Sequence, residues 1–296
     1  MQVVVTGAGG LLGSNVVSEA LDRGWEPTGT YHSEEPALNA SSSRLDVREI
    51  DRFEALVDRT TPDAVINCAA MTDVDGCERT PEQAWVTNAD APGRLARACD
   101  ARDIAFVHVS TDYVFDGRAE TPYDETATPN PRQVYGESKL AGERAVVDAH
   151  RAPLLARLSF VYGIHRSTGS LAGFPSWLRD RLCDREPTSL FTDQHVTPSR
   201  AGQVATTLLD LLATGTTGTV HVASRSCVTP YEFGDEIRGR MELPEELLKA
   251  GRQANVDRPA VRPQYTCLDV DRVEAELGRE QPTLAEDLDA IGSALS

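Results

Sequence analysis

Gln2-Val-Val-Val-Thr-Gly-Ala-Gly-Gly-Leu-Leu-Gly13 opens with a β-branched run and passes directly into a glycine-rich turn. Three consecutive valines favour an extended, buried strand, and the pattern that follows, residues 11–23 closed by Gly24, has helical periodicity. Gly7, Gly10 and Gly13 therefore fall at a strand-to-helix junction. Glycine there permits a tight turn, lets backbone approach a pyrophosphate closely, and allows the helix to pack tightly on the strand. The helix N-terminus adds free N–H groups and a positive dipole end, so Gly7, Gly10, Leu11, Leu12 and Gly13 are expected to hold a dinucleotide phosphate. The spacing is GxxGxxG, with Leu12 where the commoner GxGxxG pattern would place its last glycine.

Outward from this turn, short apolar runs alternate with longer helical patterns. Strands are expected at 27–31, 64–68, 104–110, 153–159 and 219–223, with a helix over 81–101 whose proline suits a first turn. Segment 33–43 reads as a polar loop, and Thr229-Pro-Tyr-Glu232 is a capping box that starts a helix. Strands separated by helices of this length form right-handed βαβ units. The expected fold is α/β, a Rossmann-type doubly wound parallel sheet with a smaller C-terminal substrate-binding lobe. Residues 1–160, completed by about 196–224, form the NAD(P)-binding domain, and 161–195 with 225–296 form the lobe.

Composition narrows the function. In 296 residues there are 46 acidic and 29 basic side chains, a net charge of −17, which repels phosphate backbones and anionic lipids and argues against nucleic-acid or membrane partners. Only Lys139 and Lys249 are lysines; the other cations are arginines. Such a surface suits concentrated salt, where screening removes most self-repulsion, and a halophilic cytoplasm is the expectation. No basic leader and no run of about 18 apolar residues is present, which points to a soluble cytoplasmic protein. The six cysteines form no CxxC pair and lack histidine at metal-ligand spacing, so they are read as reduced thiols and no metal is expected.

The second expected strand ends at Thr30-Tyr31-His32-Ser33. An NAD site commonly places a carboxylate at that tip for the ribose 2′-hydroxyl. Here none repels a 2′-phosphate, and His32 and Ser33 can donate to one, so NADPH is expected; without an arginine at the tip, NADH remains admissible. Asp46-Val47, after the third strand, can accept from an adenine amino group. Cys68, Ala69 and Ala70 offer the small side chains that backbone beside a cofactor requires, and Thr72 and Val109 are expected further along its path.

Tyr135 and Lys139 stand four residues apart at the start of a helix running to about 149, so both project from one face. A phenol titrates near 10, and an adjacent ammonium draws it toward neutrality, the condition for proton transfer. Lysine suits this as a compact point charge that also reaches a ribose hydroxyl. That one of only two lysines stands here adds weight to the pair. A hydroxyl at the end of the preceding strand should hold the substrate carbonyl; Ser110 and Thr111 both qualify, and alternation does not choose between them.

Ser110-Thr-Asp-Tyr-Val-Phe-Asp-Gly117, Pro122-Tyr-Asp-Glu125, Pro129, Pro131 and Tyr135-Gly-Glu-Ser-Lys-Leu-Ala-Gly-Glu143 closely resemble the dTDP-4-dehydrorhamnose reductases, extended short-chain dehydrogenases. The resemblance extends through Asn67 to Ala70, Val74-Asp75, Arg157, Val161-Tyr-Gly163, Asp193-Gln194, Thr197-Pro198, Arg262-Pro263 and Leu268-Asp269. It implies that Thr111, with Tyr135 and Lys139, carries catalysis, and that hydride goes to C4 of a nucleotide-linked 4-keto-6-deoxy sugar, as in dTDP-4-dehydrorhamnose to dTDP-L-rhamnose. Val74, Thr111, Tyr113, Arg157 and Phe160 are the implied sugar contacts. Asn88 would hold a relay water to Lys139, its plainer role being a buried polar cap. Phe160 stands where the family often has tryptophan, and His195-Val196 is also unusual, which leaves the exact sugar open. A homodimer is compatible with the resemblance. Two alternatives stand beside this reading: a reductase or epimerase of another nucleotide-linked ketosugar, and a non-catalytic NADP-binding regulatory subunit.

Overall fold

The computed structural model describes residues 1–295. Its main sheet has seven strands: β1 (Gln2–Thr6), β2 (Glu26–Tyr31), β3 (Ser41–Arg44), β4 (Ala64–Asn67), β5 (Ala105–Thr111), β6 (Leu154–Leu158) and β11 (Gly218–His221). All are parallel, in the order β11-β6-β5-β4-β1-β2-β3. The chain starts in the middle, winds outward to β3, then returns to the other side of β1. At that reversal the loops after β1 and β4 diverge, and a crevice opens at the carboxyl ends.

Every residue of β4 and β6 is buried, as a parallel sheet covered on both faces requires. Val3 and Val5 face one helical layer with Val16, Val17 and Leu208, while Val4 faces the other with Phe53, Leu95 and Val146. The first layer is α1 (Leu11–Asp22) with α8 (Ala201–Thr214); the second is α2 (Ile50–Thr60), α5 (Ala91–Asp100) and α6 (Val134–Ala149). The polar segment 33–43 is not loop throughout, since its end enters β3, a serine-rich edge strand held by pairing with β2.

The expected helix over 81–101 is divided. Short helices α3 (Val74–Arg79) and α4 (Pro81–Trp85) lead into a π turn, Val86–Asp90, in which Ala91 N–H bonds back to the Val86 carbonyl before α5 begins. Pro92 is the physical reason: it has no N–H to return to the Asn88 carbonyl, so the α ladder cannot run through. The freed Asn88 carbonyl lies against Gly142 of α6, where a β-carbon would collide with it. Two helices thus meet backbone to backbone beneath the crevice.

A second core gathers Tyr162, Leu178, Leu190, Phe233, Ile237 and Leu288. It is built from β7 (Val161–Ile164), β8 (Leu171–Ala172), α7 (Phe174–Cys183), β9 (Thr188–Phe191), α9 (Pro230–Arg240), β12 (Leu248–Gly251) and α11 (Leu284–Asp289), with β10 (Ser199–Arg200) pairing β7. The capping box at Thr229 forms, with Thr229 and Glu232 exchanging side chain-to-backbone bonds. Leu268, Val270 and Val273, the last on α10 (Asp271–Leu277), pack with the main sheet's core, so the segment from residue 225 onward does not belong wholly to the smaller core. No helix among the described residues is long and apolar enough to cross a membrane.

The expectation of six reduced thiols is corrected. Cys227 and Cys267 form a disulfide with Cα atoms 5.5 Å apart, and the other four cysteines are free. Bridges Val196–Val228 and His195–Tyr265 lay three distant segments side by side. A separation of 40 residues carries no local signature of such a pair.

Gly142→Ala should cost about 1–3 kcal/mol through overpacking against Asn88. Urea unfolding measures this, and an unchanged midpoint would show that the two helices part at no cost.

Candidate active site

The crevice is a cleft of about 980 Å³ running along the carboxyl ends of β1, β2, β4 and β5. At its nucleotide end Gly7 has φ +71°, and a β-carbon there would come 2.9 Å from the Ala69 backbone. A β-carbon on Gly13 would collide with the Gly7 carbonyl. The N-cap of α1, Gly10, makes no side-chain cap, and the first turn holds no acidic residue. Its leading amides are therefore available to an anion, with no carboxylate repelling one. A dinucleotide pyrophosphate fits this cradle. Leu11 and Leu12 line it too.

His32, Ser33, Asp46 and Val47 come together at the end of the cleft beyond β2 and β3. His32 Nδ1 lies 3.1 Å from Ser33 Oγ, and its Nε2 lies 3.5 Å from Asp46 Oδ2. Asp46 is not a free acceptor. Arg48 grips it through Nε at 2.9 Å and Nη2 at 2.5 Å, and its backbone N–H bonds the same carboxylate at 3.0 Å. The Arg48 hydrogen bond, opposed by burial, holds the Asp46 carboxyl down to about 2. Arg48 also lines the cleft, so a guanidinium does stand at this end. The sequence reading sought it at the β2 tip and missed it two residues beyond Asp46.

Cys68, Ala69, Ala70, Thr72 and Val109 line the middle of the cleft and lead to Thr111, Tyr135 and Lys139. Thr111 ends β5, and its hydroxyl donates to Asp112 Oδ1 at 3.0 Å while accepting from Tyr113 N–H at 3.2 Å. Ser110 also faces the cleft, but its buried hydroxyl has no hydrogen-bond partner among the described residues. Burial pushes the Tyr135 phenol well above its usual value, and a hydrogen bond with Thr111 opposes this. Lys139 Nζ donates to the Val109 carbonyl at 2.6 Å and lies 3.5 Å from His108 Nε2. Burial lowers the ammonium to about 8, with Glu143 and Cys68 acting against it.

Val74, Tyr113 and Phe160 also line the cleft. Tyr113 stacks edge-on to Tyr135 with centroids 6.1 Å apart. Phe160 takes a left-handed φ of +46° and packs against Phe174 and Phe233 of the smaller core. Backbone strain of this kind persists only where surrounding packing enforces it.

Arg157 is a correction. It does not line the cleft; its guanidinium is buried in a fork with Glu143, at 2.9 and 2.7 Å, and lies over the Phe115 ring. Its work is to neutralise a carboxylate one helical turn beyond Lys139. Asn88 is buried with its side chain engaged, as the plainer of its two expected roles requires. Its oxygen accepts from Met71 N–H, and its amide donates to the Met71 carbonyl and Ser138 Oγ, so it ties the loop after β4 to α6.

One residue in the cleft was missed although it lay within the octapeptide. Asp112 is fully buried, accepts from Thr111 and from Ser159 at 2.8 Å, and is pushed up to about 6 by burial against hydrogen bonds from Thr266, Ser159 and Thr111. A carboxylate between two cleft residues was the available signal.

The family described as RmlD substrate binding domain matches residues 1–295. The chain is 50% identical to the "Probable low-salt glycan biosynthesis reductase Agl14" of Haloferax volcanii, over 100% of this chain and 99% of that protein. It is 33% identical to a dTDP-4-dehydrorhamnose reductase of Mycolicibacterium smegmatis, over 92% and 79% of the two chains. Among solved structures, the dTDP-4-dehydrorhamnose reductase of Bacillus anthracis in complex with NADP superposes with a TM-score of 0.87 at 26% identity, covering 98% of each chain.

Arg157→Met should destabilise the fold by about 3–5 kcal/mol because it leaves Glu143 buried and unpaired. Arg157→Met/Glu143→Leu should recover most of that loss in denaturant unfolding; no recovery would mean that the guanidinium serves something other than this carboxylate.

Proposed function

The chain belongs to the RmlD substrate-binding-domain family, and from that premise we propose that it reduces a 4-keto-6-deoxy sugar carried on a nucleoside diphosphate, dTDP-4-dehydrorhamnose to dTDP-L-rhamnose. That it is an NADPH-dependent reductase of nucleotide-sugar ketones follows from the family and from the NADP-bound relative. The finer reading is carried by one observation: Thr111, Tyr135 and Lys139 converge in the cleft that begins at the glycine turn, with Tyr113 and Phe160 beside them.

When bound, the nicotinamide cofactor supplies the hydride for the sugar's C4. Gly7, Gly10, Leu11, Leu12 and Gly13 would hold its pyrophosphate. His32, Ser33 and Arg48 would meet a 2′-phosphate, with Asp46 keeping Arg48 in place. Cys68, Ala69, Ala70, Thr72 and Val109 would line its path to the catalytic groups.

Thr111 holds the ketone oxygen by turning its hydroxyl from Asp112, and Tyr135 donates the proton that the developing alkoxide takes up. With its phenol held high by burial, Tyr135 is a protonated donor at neutral pH, as the reductive direction needs. Lys139 supplies the positive charge that stabilises the phenolate left behind, and reaches the ribose. Val74, Tyr113 and Phe160 form the wall against which the deoxy sugar sits. Val161 stands beside Phe160 in the same wall.

We also propose that the protein is adapted to a salt-rich cytoplasm, supported by its net charge of −17 and its near-exclusive use of arginine. Multidentate pairs such as Arg240 with Glu236 and Asp289 keep cations engaged where water is scarce.

Tyr135→Phe should lower turnover by about 10²–10⁴-fold while NADPH affinity is kept. NADPH oxidation with dTDP-4-dehydrorhamnose in molar salt, with the sugar product identified, is the measurement, and near-normal turnover would refute the role. Circular dichroism across a salt series should show unfolding as salt is withdrawn; equal stability at low and molar salt would remove the salt-adaptation reading.

A further inference from the structure

Behind Lys139, on the side away from the cleft, a row of buried polar side chains crosses three strands. Thr6, Asn67 and His108 are paired in register on β1, β4 and β5, so their side chains stand on one face of the sheet. Thr6 Oγ1 lies 2.5 Å from Asn67 Oδ1, Asn67 Nδ2 lies 3.0 Å from His108 Nδ1, and His108 Nε2 lies 3.5 Å from Lys139 Nζ. All four residues are at most 2% exposed. A parallel sheet ordinarily fills such positions with aliphatic side chains, as β1 does at Val3, Val4 and Val5.

Counting hydrogens gives this row its meaning. A neutral imidazole has one donor and one acceptor, whereas an ammonium has donors only. When Lys139 is charged, Nε2 must present its lone pair, which puts the ring hydrogen on Nδ1. The Asn67 amide then accepts through its oxygen and donates its NH2 to Thr6 Oγ1. When Lys139 is neutral, Nε2 carries the hydrogen and points at the amine lone pair; Asn67 then donates to Nδ1 and accepts from Thr6. The amide stands in this second orientation, and a half-turn converts one arrangement into the other. The row therefore has one arrangement for each charge on Lys139 in which every neighbouring pair matches a donor to an acceptor.

An imidazolium would fit neither state, and His108 is held well below the usual histidine range by burial, with Lys139 adding repulsion. The other titratable groups facing Lys139 are Glu143 and Tyr135 on its own helix and Cys68 at the end of β4. Glu143 is committed to Arg157 of β6, and the Cys68 thiol is pushed up to about 12. On β6 the residue in register with His108 is Leu155, which carries no charge. Among the described residues, the hydrogen bonds of Nζ go to the Val109 carbonyl and His108.

We propose that His108 is the positioning residue of Lys139, its neutral ring donating to Nζ when the amine is uncharged and accepting from Nζ when it is charged, with Asn67 and Thr6 absorbing the change of tautomer, so that the row holds the lysine aimed at the cleft in both states. This rests on the catalytic reading of Lys139 given above. The consequence lies in the pH dependence. Loss of the Lys139 charge ends catalysis on the alkaline side, and because a hydrogen bond from an ammonium is stronger than one between neutral groups, the row raises the pH at which this happens.

The test is the pH profile of kcat for NADPH oxidation with dTDP-4-dehydrorhamnose, taken for the wild type, His108→Leu, His108→Gln and Lys139→Met. His108→Leu removes the acceptor, and its alkaline limb should move to lower pH by about one unit, the size expected for a hydrogen bond to a charged group. His108→Gln retains a carbonyl acceptor and should hold the limb near the wild-type position. Should His108→Leu fail to fold by circular dichroism, His108→Ile, whose side chain also carries no acceptor, takes its place. An unmoved limb in the apolar variant, or an equal shift in the glutamine variant, overturns the role of His108 while Lys139→Met is inactive. Wild-type turnover in Lys139→Met would instead overturn the reading of the site itself, and the role of His108 with it.

Discussion

The approach of the β1–α1 turn to the loop after β4 is the constraint from which the rest of the site follows. Gly7 has no room for a β-carbon above Ala69, and Gly13 has none above Gly7. Backbone therefore forms the floor of the crevice, and the N-terminus of α1 is drawn over it. Because β4 and β5 lie next in the sheet, the strand end that carries Thr111 opens into the same space. Helix α6 is then set by its own glycine against the Asn88 carbonyl, which fixes the height of Tyr135 and Lys139 above that floor. Three close backbone contacts align elements more than a hundred residues apart.

Much of this was legible. Strands buried on both faces read as continuous apolar runs, and glycine at a strand-to-helix junction has a narrow set of uses. Tyr135 and Lys139 were legible from one helical turn of spacing, and Lys139 also from its rarity. Arg157 and the disulfide depended on partners far away in the chain, whereas Asp46 and the helix break turned on neighbours close in sequence. Arg157 was an implied sugar contact, yet Glu143, on another element, occupies two positions of its fork. Asp46 looked like a free acceptor, yet Arg48 two residues on had already taken it. The break in the helix before α5 could have been read from Pro92 alone. The disulfide could not, because only folding brings Cys227 and Cys267 together.

The choice of cation follows a chemical division. Arginine serves where a fixed charge must hold a carboxylate in two places, as in Arg262 with Asp75, which fastens the C-terminal segment to α3. It cannot release its proton at any pH the protein meets. Lysine can, and the buried one stands where a change of charge is chemically useful.

The Cys227–Cys267 cross-link closes residues 228–266 into a covalent ring that contains α9 and β12. Beside it, strand-like bridges join Val196 to Val228 and His195 to Tyr265. Both feet of the ring are planted on the same patch of the molecule, and Thr266 within one foot reaches Asp112. A segment fastened in this way cannot peel away from one end. A protease that nicks the exposed stretch near Val256 and Val261 would leave both fragments tethered to each other through the cross-link.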